Sequence, residues 1–401
     1  MAFNKLDKNC VLTINSGSSS IKFALYKIEE EPTQVFSGKI ERIGTKNTKL
    51  SFNKTGINQK NSEPVAILEH ADPANFLIDW LEKQEDVGAV KAIGHRIVYG
   101  MKHTVPEQIT PALLDEFKAI SSYDPEHMPG AIKLIEAFGQ RYPTIAQIAC
   151  FDTSFHASMP QVAKLLPIPR RFQAMGIQRY GFHGLSYTWL MEELNRIAGS
   201  EPAQGRVILA HLGNGASLAA VKNGKSLDTS MGFTPTSGLP MGTRTGDLDP
   251  GVAWYLMQTE KLNPAQFSHL INHESGLLGI SETSADMQEL IKSRGTDTRA
   301  AEAIELFCYQ TKKWIGSYAA ALGGLDTLIF SGGIGEHQPE IRKRICEGLQ
   351  FLGIEWDETR NAQNEAIVST PKSKVCVRVI QTNEESMIAR LVCQCLVVGQ
   401  K

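Results

Sequence analysis

The stretch VLTINSGSSSIKFALYK, residues 11–27, places a loop rich in Asn, Ser and Gly between two apolar runs. Apolar residues dominate up to Ile14, and alternation of apolar and polar residues resumes at Ile21. Clusters of Asn, Gly and Ser are typical of turns, so the pattern predicts a β-hairpin. The loop contains no carboxylate, and its Ser hydroxyls and backbone N–H groups are followed closely by Lys22. It is therefore either a simple turn or a loop that binds phosphate.

A second stretch, VILAHLGNGASLAAVKN, repeats this pattern from Val207 onward. Aligning it with the first stretch makes three pairs of loop positions coincide: Asn15 with His211, Gly17 with Gly213, and Ser18 with Asn214. Two copies of one hairpin indicate two related domains, whose loops could hold opposite ends of a polyphosphate. Short strand–turn–strand matches also arise by chance, so coincidence stays open at this point.

Length and composition narrow the class of protein. The chain has 401 residues, more than one hydrophobic core normally serves, so two domains are expected. With 42% hydrophobic residues, 21% charged residues and a net charge of −2, it is typical of a globular protein without a nucleic-acid partner. Seven scattered cysteines without a C-x-x-C pair favour a reducing compartment. Because no apolar leader or membrane-length apolar run occurs, we expect a cytoplasmic protein with no membrane partner.

Strand-like and helix-like segments alternate along the chain, which favours an α/β architecture. A long amphipathic helix is predicted around residues 301–322, and a buried strand at 325–330 then enters the turn SGGIGEHQPE. Two familiar phosphate motifs are excluded. NGKS at 223–226 is not a Walker A loop because Ala219 holds the upstream Gly position, and Gln338 breaks G-x-G-x-x-G.

Two arginines lie in unusual surroundings. Arg96 lies within the apolar stretch GHRIVYG, and Arg244 lies within the loop MGTRTGDLDPG. An Arg in an apolar strand usually pairs with a buried carboxylate, but it can also bind carboxylate or phosphoryl oxygens through two N–H groups. Both interpretations stay open. Asp247 and Asp249 are expected to cap the helix that Pro250 begins.

Three further acidic or imidazole positions invite a functional interpretation. Asp152 ends an apolar strand in CFDTSFH, where α/β sheets usually carry their ligands. His183, in RYGFHGLS, is flanked by glycines that permit close approach, although a lone His is more often structural. Glu384 follows Thr382 in QTNEESMIARL; it either complements the helix dipole or reaches a metal ion. Thr382 with Glu385, and likewise Asp286 with Glu289 in TSADMQEL, predict capping boxes.

In combination, nine ordered stretches closely resemble the acetate and propionate kinase family, within the superfamily of actin, sugar kinases and heat-shock-chaperone ATPases. The resemblance extends nearly from end to end. It rests on TINSGSSSIKFALY, GHRIVYG, FDTSFH, RYGFHGLSY, HLGNGASL, MGTRTGDLDPG, SGLLGIS, FSGGIGEH and TNEESMIAR.

The resemblance implies a fold and a reaction. The fold is α/β, with two duplicated ribonuclease-H-like domains and the active site in the cleft between them. The first domain would comprise residues 1–150 and 384–401, with the C-terminal helix returning to it, and the second would comprise 151–383. The reaction is reversible phosphoryl transfer from ATP to a short-chain carboxylate, giving an acyl phosphate and ADP. Mg²⁺ is required, with Mn²⁺ as a substitute, and the family is homodimeric.

The resemblance also assigns roles position by position. The magnesium-site residues are Asn15 and Glu384. The first phosphate loop supplies Ser18, Ser20 and Lys22. The second supplies His211, Leu212, Gly213, Asn214 and Gly215. The nucleotide would contact Asp286, Met287, Gln288, Gly332, Gly333, Ile334, Gly335 and Glu336. The catalytic residues are Asp152, His183, Arg244 and Arg96, and the substrate would also contact Val98, Phe182 and Pro235.

The implied chemistry is consistent with these residue types. A carboxylate acceptor is already ionised near pH 7, so it needs no general base. Phosphoryl transfer instead needs positioning and charge neutralisation, which two Arg side chains, a His donor and Mg²⁺ supply. We therefore interpret Asp152 as an organiser of Arg and of the Mg²⁺ water shell, although the family position is often described as a proton-transfer residue.

The chain departs from the family at a few positions. Glu126 precedes His127 where an apolar residue is usual, Tyr99 replaces a His, Met101 replaces a Gly, and Gln288 replaces an Arg beside the nucleotide. Glu126 either turns outward, which leaves a roomier pocket that also admits propionate, or points inward and raises the KM for every carboxylate, and we favour the first. Gln288 favours relaxed choice of nucleotide. These positions leave the preferred acyl chain open.

Two other functions compete with a carboxylate kinase. An ATP-gated binding protein of the actin or chaperone type would not need Arg96, His183 and Arg244 together. A sugar kinase would need a base to activate a neutral hydroxyl, and two acceptor-site arginines are poorly suited to that.

Overall fold

The computed structural model describes residues 9–17, 20–44, 47–55, 61–64, 72–84, 87 and 89–398. The predicted phosphate-loop residue Ser18 lies outside these residues. The chain forms two compact units: the residues up to Ser154 together with those from Asn383 onward, and Phe155–Thr382.

Strands and helices alternate through both units. The strands are β1 (Cys10–Ser16), β2 (Ser20–Lys27), β3 (Thr33–Glu41), β4 (Lys49–Lys54), β5 (Asn61–Pro64), β6 (Val90–Ile97), β7 (Glu107–Gln108), β8 (Ala146–Phe151), β9 (Arg206–Leu212), β10 (Ala216–Lys222), β11 (Lys225–Thr229), β12 (Thr327–Ser331) and β13 (Cys376–Val379). The helices are α1 (Pro73–Leu81), α2 (Pro111–Ile120), α3 (Met128–Arg141), α4 (Gln161–Lys164), α5 (Arg170–Ala174), α6 (Gly184–Ala198), α7 (Ser200–Gln204), α8 (Pro250–Thr259), α9 (Pro264–His273), α10 (Gly276–Ser281), α11 (Met287–Ser293), α12 (Thr298–Leu322), α13 (Gly332–His337), α14 (Pro339–Cys346), α15 (Glu358–Ala362) and α16 (Glu384–Val398). None of these helices has the length and apolar character needed to cross a membrane.

Five strands of the first sheet, β3-β2-β1-β6-β8, follow the same order as the five strands of the second. The sheet of the first unit has the order β5-β4-β3-β2-β1-β6-β8-β7, and that of the second has the order β11-β10-β9-β12-β13. In the first unit β1 pairs antiparallel with β2 and parallel with β6, and β6 pairs parallel with β8. In the second, β9 pairs antiparallel with β10 and parallel with β12, and β12 pairs parallel with β13. This repeated topology confirms the predicted duplicated α/β fold.

The two hairpins differ by one residue in loop length. Ser16 pairs with Ile21, so residues 17–20 form the first connection, whereas Leu212 pairs with Ala216, so residues 213–215 form the second. The sequence alignment is therefore right for the first strands and wrong by one residue for the second strands. Lys22, which pairs with Asn15, corresponds to Ser217, which pairs with His211, and not to Leu218.

Each unit has an apolar core beside its sheet. In the first unit Phe23 of β2 packs against Trp80 of α1, with ring centroids 5.3 Å apart. In the second, Leu209 of β9 and Ile329 of β12 pack with Leu190 of α6. These buried strands fix the loop-bearing ends at which the candidate functional residues lie.

Of the two residues predicted to cap helix α8, one does so. The Asp249 carboxylate accepts a hydrogen bond from the Gly251 N–H at 2.6 Å, which makes Asp249 the N-cap. Asp247 does not cap this helix. Its carboxylate accepts from the Gly238 N–H at 2.9 Å and thus closes the loop that contains Arg244.

Candidate functional site

Asn15 lies buried at the end of β1, beside the start of α16. Its Nδ2 donates to Glu384 Oε2 at 2.7 Å and to Glu385 Oε1 at 3.0 Å. These contacts bring together the two predicted magnesium-site residues, which are 369 positions apart in the sequence. Glu385 also lies 3.8 Å from the half-exposed Lys22 ammonium. It does not complete the predicted capping box, because the N-cap of α16 is Asn383 and not Thr382.

The N-cap of α16 differs from the prediction. Asn383 Oδ1 accepts a hydrogen bond from the Ser386 N–H at 2.9 Å, whereas the Thr382 hydroxyl bonds Ser186 Oγ at 2.7 Å. Asn383 is therefore the cap, and Glu384 occupies the first helical position. A carboxylate there is favoured by the helix dipole.

Arg96 forms the ion pair with a buried carboxylate that its sequence context allows. Its Nη2 donates to Asp152 Oδ2 at 2.7 Å, and its Nη1 donates to Asn15 Oδ1 at 3.3 Å. Burial alone would lower the pKa of Arg96, but the carboxylates of Asp152 and Glu384 more than offset burial and raise that pKa, so the guanidinium stays charged. Its Nε is buried and finds no hydrogen-bond partner among the described residues. That donor is one an anionic ligand could satisfy.

The residues around Asn15 suit one kind of metal site. No group of three or more His, Cys, Asp or Glu among the described residues could hold a metal ion. Mg²⁺ usually keeps several waters and binds through one or two carboxylates plus phosphate oxygens. The Glu384 carboxylate beside the Asn15 amide fits that arrangement and does not fit an all-protein cage.

The remaining predicted residues of the first unit are consistent with a phosphate loop and an apolar wall. The Gly17 N–H donates to the Ser20 carbonyl at 2.8 Å, which closes the first hairpin loop. Val98 follows β6 and is buried.

Sequence reasoning missed a buried Asp–His pair in the first unit. Asp124 Oδ1 lies 3.0 Å from His127 Nδ1, and both side chains are buried. The Asp124 carboxylate also contributes to the raised pKa of Arg96, so the pair lies near that guanidinium. The spacing of Asp and His three residues apart at the start of a helix was the available signal.

In the second unit, a strained turn carries His183 at the N-terminus of α6. His183 has a left-handed backbone with φ 60°, an uncommon conformation for a residue other than Gly. Gly181 has φ 76°, and a methyl group there would collide with the ring of His156. His156 Nε2 donates to the carbonyl of the buried Phe182 at 3.0 Å. Contacts with His156 therefore hold the turn in place, and the orientation of His183 is fixed.

His183 and Arg244 converge over one glycine. A methyl group at Gly215 would lie 3.3 Å from His183 Nε2 and 3.6 Å from Arg244 Nη1. Arg244 Nη1 also donates to the carbonyl of the buried Pro235 at 3.2 Å. Two donors thus face the same small space above the second hairpin loop.

The second hairpin loop has internal hydrogen bonds and packs on its neighbours. The Gly213 N–H donates to the Gly215 carbonyl at 3.1 Å, and the Asn214 carbonyl accepts from the Gly242 N–H at 3.1 Å. His211 at the end of β9 stacks on His183, with ring centroids 4.3 Å apart. The predicted residues of this loop are thus brought together with His183.

The Gly-rich turn after β12 forms α13 and is held at both ends. At the start, Glu336 Oε1 accepts from the Gly332 N–H at 2.8 Å and from the Thr382 N–H at 3.1 Å. Gly332 has φ 74°, and a methyl group there would lie 2.7 Å from the Leu212 carbonyl oxygen. A methyl group at Gly333, in contrast, would point into open space. Gly333 is thus the glycine of this turn that a ligand can approach.

Arg342 holds the other end of α13, and sequence reasoning missed it. This guanidinium is completely buried, and its Nη1 donates to the carbonyls of Gly335 at 2.8 Å and Glu336 at 3.0 Å. Its Nε donates to Asn361 Oδ1 at 2.9 Å. Burial lowers the pKa of Arg342 to about 10, which still leaves it charged near neutral pH.

The predicted base-site residues lie at the start of α11. Asp286 accepts from the Gln288 N–H at 2.7 Å and is the predicted N-cap. Glu289 does not close a capping box, because its carboxylate accepts from the Ser284 hydroxyl at 2.5 Å. Met287 is buried and Gln288 is exposed, so only the latter presents its side chain to a ligand.

The protein has a duplicated α/β fold with glycine-rich loops at strand ends, and Arg and His donors converge beside one of these loops. Together these features are those of a phosphotransferase. Comparison with known families agrees with this class, because the profile of the acetokinase family matches residues 10–390. The chain belongs to the acetokinase family, and it is an enzyme, a kinase.

Individual relatives support this assignment. An acetate kinase of Rhodopseudomonas palustris (strain TIE-1) is 42% identical over 386 residues, covering 95% of this chain and 96% of that protein. The crystal structure of Porphyromonas gingivalis acetate kinase matches with a TM-score of 0.85 and 36% identity, over 97% of this chain and 100% of that one. A propionate kinase from Francisella tularensis matches with a TM-score of 0.88 and 36% identity, over 96% and 98%.

Proposed function

We propose that the enzyme transfers the terminal phosphoryl group of ATP reversibly to acetate, giving acetyl phosphate and ADP. Family membership and the acetate kinases among the relatives support this reaction. The observation that carries it is the convergence of His183 Nε2 and Arg244 Nη1 over Gly215. Use of ATP and the scattered cysteines, which form no disulfide, support a cytoplasmic location.

In this proposal the N–H donors of arginine and histidine stabilise the negative charge that builds on the phosphoryl group during transfer. The acetate carboxylate is ionised near pH 7 and attacks phosphorus directly, while ADP leaves. Arg244 and His183 donate to the equatorial phosphoryl oxygens. Arg96 binds the acceptor carboxylate, and its ion pair with Asp152 supports the role of Asp152 as an organiser. Val98, Phe182 and Pro235, each of which is buried, are proposed to contact the methyl group.

The loops at the strand ends are proposed to bind the nucleotide. Residues 213–215 and Ser20 with Lys22 contact phosphate oxygens, and the open backbone at Gly333 lies at the nucleoside end. Gln288 lies beside the base and, lacking a guanidinium, leaves the choice of nucleotide relaxed. Glu384 and Asn15 would hold Mg²⁺ together with water and phosphate, and a bound Mg²⁺ supplies further neutralisation of phosphate charge.

A second candidate acceptor is propionate. A propionate kinase is among the structural relatives. Glu126 is half-buried and not fully enclosed, which is compatible with the outward orientation that leaves a roomier pocket. One methylene changes binding by about 1–3 kcal/mol, so both acids can be substrates.

The chain is further proposed to form a homodimer through α8. No residue of α8 is buried, and Trp254 and Tyr255 are 69% and 64% exposed. Large aromatic side chains exposed at neighbouring positions of one helix are typical of a surface that a partner covers.

Trapping of the acyl phosphate tests the reaction. The enzyme is given Mg²⁺, ATP and acetate, propionate or butyrate, with hydroxylamine present to convert acyl phosphate to hydroxamate. We expect comparable hydroxamate from acetate and propionate, less from butyrate and none without an acid. ATP turnover without hydroxamate from any acid would instead indicate an ATP-gated binding protein.

A further inference from the structure

Two buried hydroxyl groups form a chain behind His183. Ser217 Oγ lies 2.8 Å from His183 Nδ1, and the Tyr187 phenolic oxygen lies 2.5 Å from Ser217 Oγ. Ser217 and Tyr187 are completely buried. The other ring nitrogen of His183 faces the space above Gly215. The chain therefore connects the protein interior to the nitrogen opposite the reacting group.

The proposed role of His183 requires a proton on Nε2. A neutral imidazole carries one N–H and one lone pair, and the partner of one nitrogen decides which nitrogen has the proton. If Nδ1 carried the proton, the Nε2 lone pair would face anionic phosphoryl oxygens and repel them. An acceptor Nδ1 requires a donor behind it, and Ser217 is placed to donate.

A doubly protonated His183 would also donate from Nε2, but its surroundings disfavour the charge. Its ring stacks on His211, with centroids 4.3 Å apart, and Arg244 Nη1 faces the same glycine. The guanidinium is always charged, and a like charge nearby disfavours the charged form of a titratable group. A neutral ring with a fixed proton avoids this repulsion.

We propose that Ser217 and Tyr187 are positioning residues that hold His183 as the neutral tautomer with the proton on Nε2. The Tyr187 O–H donates to Ser217 Oγ, and the Ser217 O–H donates to His183 Nδ1. The inference rests on the proposed function, because it assigns the donor that acts on the phosphoryl group.

The tautomer is measurable without turnover. The enzyme is labelled with ¹⁵N-histidine, and the His183 signals are identified by their loss in His183→Ala. We expect Nδ1 to show the shift of an unprotonated nitrogen and Nε2 the shift of a protonated one. In Ser217→Ala both signals should move toward the average of the two tautomers. A proton on Nδ1 in the unaltered enzyme, or no movement in Ser217→Ala, overturns the proposal.

Kinetics provide a second test. Loss of one hydrogen bond predicts a fall in kcat of about three- to tenfold in Ser217→Ala, with KM for ATP unchanged. Tyr187→Phe, which acts one bond further away, should cost less. In a His183→Ala background, Ser217→Ala should cause no further loss, because its effect passes through the imidazole.

A matched control separates positioning from stability. Thr229 is completely buried in the same sheet and its hydroxyl donates to the Leu218 carbonyl at 2.9 Å. Thr229→Val removes that bond and should leave kcat unchanged. Equal losses in Thr229→Val and Ser217→Ala, or an undiminished loss in the His183→Ala background, contradict the positioning role. If the unaltered enzyme forms no acetyl phosphate, the proposed function fails, while the ¹⁵N spectrum still decides the tautomer.

Discussion

Arg96 and Arg244 are both proposed to bind anionic oxygens, but their surroundings differ. Arg96 Nη2 lies 2.7 Å from a carboxylate oxygen of Asp152, which is completely buried. Arg244 Nη1 donates to the Pro235 carbonyl and lies 3.8 Å from Met241 Sδ. Removing one partner of a buried ion pair leaves an uncompensated charge, so Arg96 contributes to folding as well as to the site. For Arg244, which donates to a backbone carbonyl, we propose that the charge acts mainly on the ligand.

Arg244→Ala should therefore reduce activity far more than stability. Removing one donor to developing charge lowers turnover by about 100- to 1,000-fold. Thermal unfolding and the rate of acetyl phosphate formation are measured on the same preparation. Arg206→Ala is the control, because Arg206 Nε donates to Asp326 Oδ2 at 3.0 Å in the same unit and should leave turnover unchanged. A destabilised Arg244→Ala with near-normal turnover would indicate a structural arginine.

At single residues, the sequence predicted part of the contacts. The ion-pair interpretation of Arg96 is confirmed, because it pairs with a buried carboxylate. Its binding of ligand oxygens stays a prediction, for which the unsatisfied Nε–H is available. Ser217 and Tyr187 were not predicted, since their contact with His183 depends on how β10 packs against α6. The one available signal was a Ser inside the otherwise apolar strand ASLAAVK.

At the scale of elements, the short helix α13 depends on one side chain at each end, that of Glu336 at its start and that of Arg342 at its end. Six residues are too few for a stable isolated helix. Glu336 binds the first N–H of the turn, and Arg342 binds the last carbonyls. A cation at the C-terminal end also complements the helix dipole. The backbone at Gly333 is thereby fixed without a ligand.

Arg342→Met should weaken nucleotide binding selectively. It removes the guanidinium that binds the Gly335 and Glu336 carbonyls, so we expect KM for ATP to rise about tenfold and KM for acetate to change little. The control is Arg344→Met on the same helix, where Arg344 Nη2 pairs with Glu340 Oε1 at 2.7 Å and is partly exposed. Equal effects of the two changes on KM for ATP, or a parallel rise in KM for acetate, would contradict this role.

Element positions followed from the sequence, but finer details did not. Strand and helix order were predicted because apolar periodicity is local. The cap of α16 was misplaced by one residue, since Thr382 and Asn383 are both good N-caps. The Thr382 hydroxyl instead bonds Ser186, a contact between distant parts of the chain that no local pattern reveals.

At the scale of the whole molecule, the duplication was visible in one short alignment. Both sheets share an order of five strands, and each presents a loop after its first strand. The sequence did not predict the difference in loop length, because runs of Ser and Gly do not indicate which residues pair across a hairpin. The strand pairing fixes that register, since the apolar faces of β2 and β10 must point to their cores.

The exposed face of α8 predicts the assembly state. Trp254→Glu places a charge in the proposed dimer interface and should shift the protein from dimer toward monomer in sedimentation velocity. Val162→Glu is the control, because Val162 of α4 is 80% exposed and lies outside that face. A monomeric unaltered protein, or an unaffected dimer in Trp254→Glu, would contradict the proposed interface.

The one-residue difference between the hairpin loops bears on how the chain arose. If the two units arose by doubling of one gene, an insertion or deletion within one of the two loops accounts for the difference. The flanking strands kept their register, so no apolar side chain turned toward solvent. Evolution could thus reshape one loop around Lys22 and the other around His211 without disturbing either scaffold. A laboratory exchange of the two loops must carry residues 17–20 or 213–215 as whole units, because a position-by-position swap would misalign the second strand.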